Sequence, residues 1–517
     1  MSIRILVALQ MVCAAIPGFG QVPEQTGGRP AIPRTWDDAA MATLELPLAD
    51  PAASPKYPPA DYYYRIAVRP IYKSYPIYAP DREPPGYLDW LKQQEPVIVW
   101  DENGHAPQLN SEVEWIKAGE IVFDSPVALN APAFGGVEEV RNPVRYGQLG
   151  VPVDTNGIMP FARYVIRQKG AIEVGQGSCA MCHTRVMPDG SLLKGAQGNN
   201  PSQRVAAHQL RSNSANSKRG QQVFGQVPAI YRSLWATPWL HPDPLSRIAQ
   251  MTIEDFASAV DSTPAGVDPR GGSSVFHPIQ LPDLIGVKDR LYLDHTGLQQ
   301  HRSIADMMRY AALNQGADSL GSYGGFIPAD RIAFQHLPDP EKIPNGRYSD
   351  EQLYALSLYV YSLQPPTNPN KFDATAARGQ KVFEREGCAG CHTPPLYTNN
   401  KLTPTEGFAV PKDHRTKYGI LAISVGTDSN LALQTRRGTG YYKVPSLKGV
   451  WYRGMFPHDG SCAALEDWFD PRRLRDDYVP TGFKGYGIQT RSVKGHEFGL
   501  KLGVDDRRAL IAFLKTL

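Results

Sequence analysis

The chain contains one five-residue pattern twice, as Cys179-Ala-Met-Cys182-His183 and as Cys388-Ala-Gly-Cys391-His392. The two thiols of such a pattern can each add across a haem vinyl group, and the adjoining imidazole can bind the iron. A zinc knuckle is the alternative, but zinc needs four ligands and each pattern offers at most three. The two copies therefore predict two covalently attached haem c groups, with His183 and His392 as iron ligands.

The first twenty residues have the features of a secretory signal. Arg4 precedes an apolar run from Ile5 to Ile16, and small residues lead to a predicted cleavage site near Gln21. The run is shorter than the roughly 20 residues that span a bilayer, and it contains Gln10. We therefore expect residues 1–20 to be removed. The mature protein should be periplasmic or secreted, without stable membrane insertion.

Composition sets limits on function. The 54 Lys and Arg residues nearly balance the 51 Asp and Glu residues, which argues against nucleic-acid binding. Four of the six cysteines belong to the haem patterns, Cys13 lies in the signal and Cys462 stands alone, so a disulfide framework is excluded. We expect Cys462 to be an inert buried thiol.

Residues 21–104 are rich in proline and tyrosine. Proline removes a backbone donor and restricts the residue before it, so long helices are not expected here. Seven tyrosines and a tryptophan between Tyr62 and Trp90 nevertheless supply apolar surface that disordered tails lack. We predict an extended N-terminal arm that wraps a helical core.

The rest of the chain repeats itself. Gly119 and Phe123 precede the first haem pattern as Gly379 and Phe383 precede the second. After each pattern comes a loop with shared spacing: Pro282-x-Leu-x-Gly-Val-x-x-Arg290 with His295-x-Gly297, and Pro445-x-Leu-x-Gly-Val-x-x-Arg453 with His458-x-Gly460.

Each half then ends in a predicted helix. Ser349 and Gln352 form a capping box that opens the first, and the second begins after Asp505. The repeat predicts a mainly α fold of two tandem cytochrome c-like domains with long loops, over residues 105–366 and 367–517.

At this point the chain resembles the bacterial di-haem cytochrome c peroxidase and MauG superfamily. The resemblance rests on the two haem patterns, on the entry Gly119, Phe123, Asp124 and Pro126, and on Val444–Trp451 followed by Pro457–Gly460. The element Gly495-His496-Glu497-Phe498-Gly499 is more similar to the rubber-oxygenase branch.

The resemblance directs attention to the second axial ligand of each haem. A haem with two strong ligands transfers electrons, whereas an open position can bind peroxide or dioxygen. Relatives ligate the second haem with a methionine at a position that is Arg472 here. His496 is the best replacement, with a simple turn histidine as the alternative.

For the first haem, the repeat puts Tyr310 and Ala311 near the position of the relatives' methionine ligand. Both lie on a predicted helix from Ile304 to Leu313. Neither is a strong ligand, so an open iron is preferred, although His301, Met307 or Met308 could close it.

Relatives also place a glutamate near the first haem, but no glutamate occurs between Asp255 and Pro340. Gln315 or Asp318 falls nearest that place, and Tyr310, Gln315 and His301 are the candidate catalytic residues. An apolar set could protect bound oxygen or could simply be the core face of the helix: Met307, Met308, Tyr310 and Leu313.

Two further histidines fall at positions that the family uses. His295 occupies the place of a tryptophan between the haems, with Tyr292, Trp235 and Trp239 as alternative relays. His458 corresponds to a structural or propionate contact. Some relatives also hold a calcium ion between the domains.

Three functions follow as hypotheses. The chain could reduce hydrogen peroxide at haem one with electrons from a small periplasmic donor through haem two. It could instead use dioxygen to cleave an apolar alkene, as the rubber-oxygenase resemblance implies. It could also be an electron carrier with two saturated irons.

Overall fold

The structure is a computed structural model of this chain. It describes residues 30–101, 103–105, 109–130, 135–215, 227–332, 339–342 and 346–517. The predicted signal segment 1–20 lies outside these residues, and its prediction stays a prediction. Within the described ranges, no helix combines the length and apolar content needed to cross a membrane.

Short helices are distributed along the whole described chain. They are α1 Asp38–Ala42, α2 Ala60–Arg65, α3 Tyr87–Lys92, α4 Glu112–Asp124, α5 Val137–Val140, α6 Pro143–Gly147, α7 Cys179–His183, α8 Ser202–Ala215, α9 Val227–Trp235, α10 Ile253–Asp261, α11 Ile304–Asn314, α12 Pro328–Ile332, α13 Asp350–Ser362, α14 Ala374–Arg385, α15 His414–Lys417, α16 Asn430–Leu433, α17 Leu465–Trp468 and α18 Val504–Lys515.

The strands are short and pair antiparallel. They are β1 Pro55–Lys56, β2 Ile71–Tyr72, β3 Ser74–Tyr78, β4 Ile98–Trp100, β5 Ala128–Leu129, β6 Ile158–Gln168, β7 Ala171–Gln176, β8 Thr184–Val186, β9 Leu192–Lys194, β10 Val267–Asp268, β11 Ile279–Gln280, β12 Tyr292–Leu293, β13 Gln299–Gln300, β14 Ser322–Tyr323, β15 Leu402–Pro404 and β16 Tyr441–Lys443. One sheet has four strands in the order β3-β6-β7-β5, and the others are two-stranded.

Two helix pairs, α4 with α13 and α14 with α18, cross in the same way. A Cβ added at Gly119 of α4 would collide with the carbonyl oxygen of Ala355, and one at Gly379 of α14 would collide with that of Ala509. The backbones therefore approach so closely that only glycine fits at each crossing. The repeat predicted from the sequence is present as two matched helix crossings.

The helix ends follow their predicted signals. Ser349 Oγ accepts from the Gln352 N–H, and the Gln352 side chain accepts from the Ser349 N–H, which completes the predicted capping box of α13. The predicted helix from Ile304 to Leu313 is observed one residue longer, as Ile304–Asn314.

The expectation of a mainly α fold is incomplete, because the structure is 35% helical and 13% strand. The missed element is the four-stranded sheet that precedes haem pattern one. Its longest strand, β6, is rich in aromatic and β-branched residues, and Tyr164 pairs with Tyr75 on one side and Val174 on the other. One strand of this sheet comes from the arm, which local sequence patterns cannot reveal.

The described part of the arm, from Pro30 onward, is built of short helices and strands and lies against the first half of the chain. Trp36 is fully buried, stacks on Tyr63 at 4.3 Å between ring centroids and donates to the Pro58 carbonyl. Farther along, β1 pairs with β14. These contacts match an arm that wraps a core, although the predicted domain boundaries stay predictions.

Candidate haem sites

The proximal histidines of the two patterns are held in the same way. His183 Nδ1 lies 3.0 Å from the Pro282 carbonyl oxygen, and His392 Nδ1 lies 3.1 Å from the Pro445 carbonyl oxygen. A carbonyl can only accept, so each Nδ1 is the protonated nitrogen and each Nε2 keeps a free lone pair. That tautomer is the one that an Nε2 metal bond requires.

The two loops that supply these carbonyls are also fixed alike. Gly286 and Gly449 have φ of +72° and +75°. Arg290 donates to the carbonyls of Asp283 and Ile285, and Arg453 donates to the carbonyls of Ser446 and Lys448, which are the aligned positions of the repeat. The chain therefore builds the same histidine clamp twice.

Burial shifts the titration of the attachment residues. It lowers the pKa of His183 to about 3, with Arg270 adding to the effect, and it raises the pKa of Cys182 to about 12. The Cys179 thiol receives a contact from Gln315 Nε2 at 3.3 Å. In the described residues, neither pattern joins a group of three or more metal-binding side chains, so the zinc alternative has no fourth ligand in place.

His496 faces His392. The ring centroids are 6.1 Å apart, and a metal ion bonded to one nitrogen of each ring at about 2 Å separates the centroids by roughly 6 Å. His496 is half-buried and has φ of +48°, which is uncommon outside glycine. Its Nδ1 has no hydrogen-bond partner among the described residues. The pair has the spacing of two axial ligands.

Arg473 holds the His496 turn and was missed from the sequence. Its side chain is fully buried and donates to the carbonyls of Val493 at 2.5 Å and of Gly495 and His496 at 2.9 Å each. Trp468 lies between the two side chains, with Arg473 over one ring and His496 against it. The neighbouring Arg472, by contrast, is exposed and pairs with Asp470.

The surroundings of His183 differ from those of His392. No described histidine ring opposes it as His496 opposes His392. Arg270 lies close enough to lower its pKa, and Arg270 Nη2 donates to the Asn314 carbonyl at 2.6 Å. Tyr310, one turn earlier on α11, is enclosed, and burial raises its pKa to about 12. Gln315, Arg270 and Tyr310 are therefore polar groups near haem pattern one, and the buried Asp268 carboxylate lies 3.9 Å from the Cys182 thiol.

His301 and the methionines have other contacts. His301 Nδ1 lies 2.7 Å from the Arg290 carbonyl, and its Nε2 lies 2.5 Å from the Tyr361 hydroxyl, so both ring nitrogens are engaged. Met307 and Met308 pack in the hydrophobic core beside α4 and α13. Leu313 packs under the arm. This packing favours the core-face interpretation of the apolar set over a substrate pocket.

A cationic cleft of about 50 Å³ lies against both clamps, because Pro282 and Pro445 both line it. Arg290, Arg453 and Lys443 line it as well. Burial, with Arg290 second, lowers the pKa of Lys443 to about 7. Asp294, whose charge acts on Lys443, is itself paired with Arg437. Four basic side chains and one carboxylate line the cleft, so its charge is positive overall: Arg290, Lys401, Lys443 and Arg453 with Asp283.

His295 also lines this cleft, where its Nε2 donates to the Gln280 carbonyl at 2.6 Å. Of the alternatives, Tyr292 lines the same cleft and donates to the Tyr418 carbonyl. Trp235 and Trp239 lie elsewhere, against Phe256 and Tyr323 respectively. The residue at the predicted relay position therefore lines the cleft that both clamps border, and its relay role stays a prediction.

His458 is buried beside Asp428, with Nε2 at 3.3 Å from the carboxylate, and it packs on Tyr442. Burial alone would lower the pKa of His458, but Asp428 outweighs burial and raises it. Asp459 completes a cluster whose ligand atoms lie within 4.8 Å of one another, yet Arg491 already pairs with Asp459. The calcium prediction stays a prediction. Cys462 is a buried free thiol.

Comparison with known proteins leaves the family open. No family model and no curated protein matches the chain. Among solved structures, it is similar to hydrazine synthase of Kuenenia stuttgartiensis, at 16% identity and a TM-score of 0.27 over 56% of this chain and 86% of that one. It is also similar to a MauG-like protein associated with microbial copper homeostasis, at 15% identity and a TM-score of 0.30 over 49% and 78%. These scores assign neither fold nor function, so the site itself must support a proposal.

Proposed function

We propose that this chain is an exported di-haem c-type cytochrome that reduces hydrogen peroxide at haem one with electrons relayed through haem two. The observation that supports it is an asymmetry between two equal histidine clamps. His392 faces a second imidazole at ligand spacing, whereas His183 faces none among the described residues.

The residues present fit haem. Each pattern supplies two thiols and an imidazole whose Nε2 is free. Haem propionates are carboxylates, and buried cations without a protein partner are stable only when an anion meets them. The cleft with Lys443, Arg290 and Arg453 offers that charge beside both clamps.

When bound, haem supplies an iron that can accept a ligand and pass electrons. The surrounding residues would determine which iron binds the substrate and which iron only transfers electrons. His392 and His496 would hold haem two from both faces and leave no position for a substrate. At haem one, His183 would hold one face, while Arg270, Tyr310 and Gln315 would bring hydrogen-bond donors to the pocket. His295 lines the cleft that borders both haem sites, where an electron would pass from haem two to haem one.

Alkene cleavage with dioxygen has less support, because the apolar residues expected to form a substrate pocket are packed in the core. We also propose that a small periplasmic partner donates the electrons.

Absorption and electron paramagnetic resonance spectra of the purified protein test the proposal. We expect one low-spin haem that binds no added ligand and one haem that binds carbon monoxide when reduced. Turnover of hydrogen peroxide with a reduced cytochrome as donor should accompany this pattern. Two low-spin haems that bind no ligand in either redox state would instead indicate an electron carrier.

His496→Ala should convert haem two to a high-spin form, because its second axial ligand is removed. His105→Ala is the matched control, since His105 is exposed and pairs only with Glu351. A low-spin haem two that persists in His496→Ala would show that another residue is the ligand.

A further inference from the structure

A second cavity lies between the arm and the first half of the chain. Its volume is about 20 Å³, enough for at least one water molecule. Glu45 and Tyr57 of the arm line it, together with residues of the first half, Gln299, Leu313, Asn314, Asp318 and Tyr323, and with Arg436 and Arg437.

The walls of this cavity contain polar atoms without partners. Among the described residues, Gln299 Oε1 and the Nε and Nη1 atoms of Arg436 are buried and have no hydrogen-bond partner. The Tyr57 hydroxyl lies beside the Glu45 carboxyl but meets no acceptor at hydrogen-bonding geometry. Buried polar atoms around a cavity of this kind are the usual partners of ordered water.

Glu45 is the titratable group best placed to exchange a proton with such water. Its backbone pairs with Gln299, whose Nε2 donates to the carboxyl at 2.9 Å, so the side chain is firmly positioned. Burial raises the pKa of Glu45 to about 7, against the lowering effects of Gln299, Tyr57 and Arg437. Both protonation states are therefore accessible near neutral pH.

The cavity borders haem site one through α11. Arg437 Nη2 lies 3.3 Å from Asn314 Oδ1 in the cavity wall, and the next residue, Gln315, contacts the Cys179 thiol. Tyr310, one turn before Asn314, is acted on both by Arg437 in the wall and by Arg270 beside His183. The hydrogen bonds of Asn314, with Arg437 through its side chain and with Arg270 through its carbonyl, thus lead from the cavity wall to the arginine near His183.

We propose that Glu45, supplied by the arm, relays protons to the ligand pocket of haem one. This inference rests on the proposed function, because reduction of peroxide to two waters consumes two electrons and two protons. The electrons come from the donor through haem two. In each transfer the Glu45 O–H bond breaks and an O–H bond forms on the substrate oxygen by way of cavity water and Tyr310, each of which gives up one proton and takes up another. A proton drawn from solvent through the cavity water then restores the carboxyl.

The test measures haem oxidation by hydrogen peroxide in a stopped-flow experiment on the reduced di-haem protein. We expect the wild-type rate to fall as pH rises through about 7 within the window of roughly pH 5.5 to 8.5. Glu45→Gln keeps the acceptor for Gln299 but holds no exchangeable proton. It should slow the reaction at low pH at least about tenfold and remove the pH dependence. The other charged and titratable groups that face Glu45 are Asp318, Arg436, Arg437, Tyr57 and Tyr323.

Two further variants control for structure. Glu45→Asp retains a carboxyl and should restore part of the rate together with its pH dependence. Asp61→Asn changes an exposed carboxylate of the same arm and should match the wild type. Carbon monoxide binding to reduced haem one needs no proton, so it should be unchanged in every variant.

Equal rates and pH profiles in wild type and Glu45→Gln would overturn the relay and leave the proposed function standing. If Glu45→Gln does not accumulate, a wild-type rate that is constant across the pH window also overturns the relay. A wild-type protein that binds carbon monoxide but is not oxidised by peroxide overturns the proposed function and the relay together.

Discussion

Arg473 shows how much a single buried side chain can control at a haem site. It binds three turn carbonyls, those of Val493, Gly495 and His496, and stacks on Trp468, which in turn packs on His496. A guanidinium offers five donors in a rigid plane, and no other side chain can replace that geometry. The left-handed backbone of His496 is therefore maintained by a residue that contacts no iron.

We predict that Arg473→Met loosens the His496 turn and gives a mixture of low-spin and high-spin haem two. Loss of the buried hydrogen bonds should also lower the free energy of unfolding by about 2–4 kcal/mol. Spectra at several temperatures and chemical denaturation measure the two effects. Arg472→Met, one residue away and exposed, should change neither. A stable, fully low-spin Arg473→Met protein would contradict the positioning role.

The Asp428–His458 pair should make the stability of the protein depend on pH. Asp428 has its pKa lowered to about 2, so its contribution to stability is present above its unfolded value and is lost as pH falls towards 2. His458 has its pKa raised, so its contribution is present below its unfolded value of about 6.5 and is lost as pH rises through the folded value.

We therefore expect Asp428→Asn to destabilise the protein most between about pH 4 and 6.5, by about 1–3 kcal/mol. The difference from wild type should shrink as pH rises above that range and through the raised pKa of His458, where the imidazole loses its proton. Thermal unfolding across pH measures it, and a difference that grows with rising pH would show that the pair is not an ion pair.

At the scale of elements, the two glycine crossings are the tightest contacts of the fold. Gly119→Ala and Gly379→Ala should each force a helix pair apart and destabilise the protein by about 3 kcal/mol or more. Gly147→Ala is the control, since a Cβ there meets nothing, and it should be neutral or slightly stabilising. Denaturation midpoints compare the three. A neutral Gly119→Ala would mean that α4 and α13 do not cross as closely as the structure shows.

The same elements explain what could be predicted from the sequence. Gly119, Gly379, Ser349 and the haem patterns act through local spacing, and the helices and clamps formed where that spacing indicated. The four-stranded sheet could not be predicted from local spacing, because it pairs Tyr75 of the arm with Tyr164 of the following segment. Glu45 and Arg473 were missed for the same reason, since their partners Gln299 and His496 lie far along the chain or in an irregular turn.

At the scale of the whole molecule, the positively charged cleft links the two halves through its electrostatic effect. Its positive charge acts on both haem sites, since it lies against both clamps. A cation stabilises the reduced state of a nearby iron relative to the oxidised state.

We predict that Lys443→Met lowers the midpoint potentials of both haems by on the order of tens of millivolts. The shift should be greatest at low pH, where Lys443 is charged, because its pKa is lowered to about 7. Spectroelectrochemical titration measures both potentials. Lys448→Met, an exposed lysine of the neighbouring loop, is the control. A shift confined to one haem would show that the cleft does not serve both.

The arm also has a consequence for how the molecule assembles. It is made first, yet three of its backbone partners follow some 250 or more residues later, because Leu46 bonds to Leu298, Pro55 pairs with Tyr323 and Val68 pairs with Arg347. Contacts so distant along the chain form slowly, because a long loop must close before they stabilise anything. The cavity that contains Glu45 would therefore close late in folding, since its lining extends to Arg437.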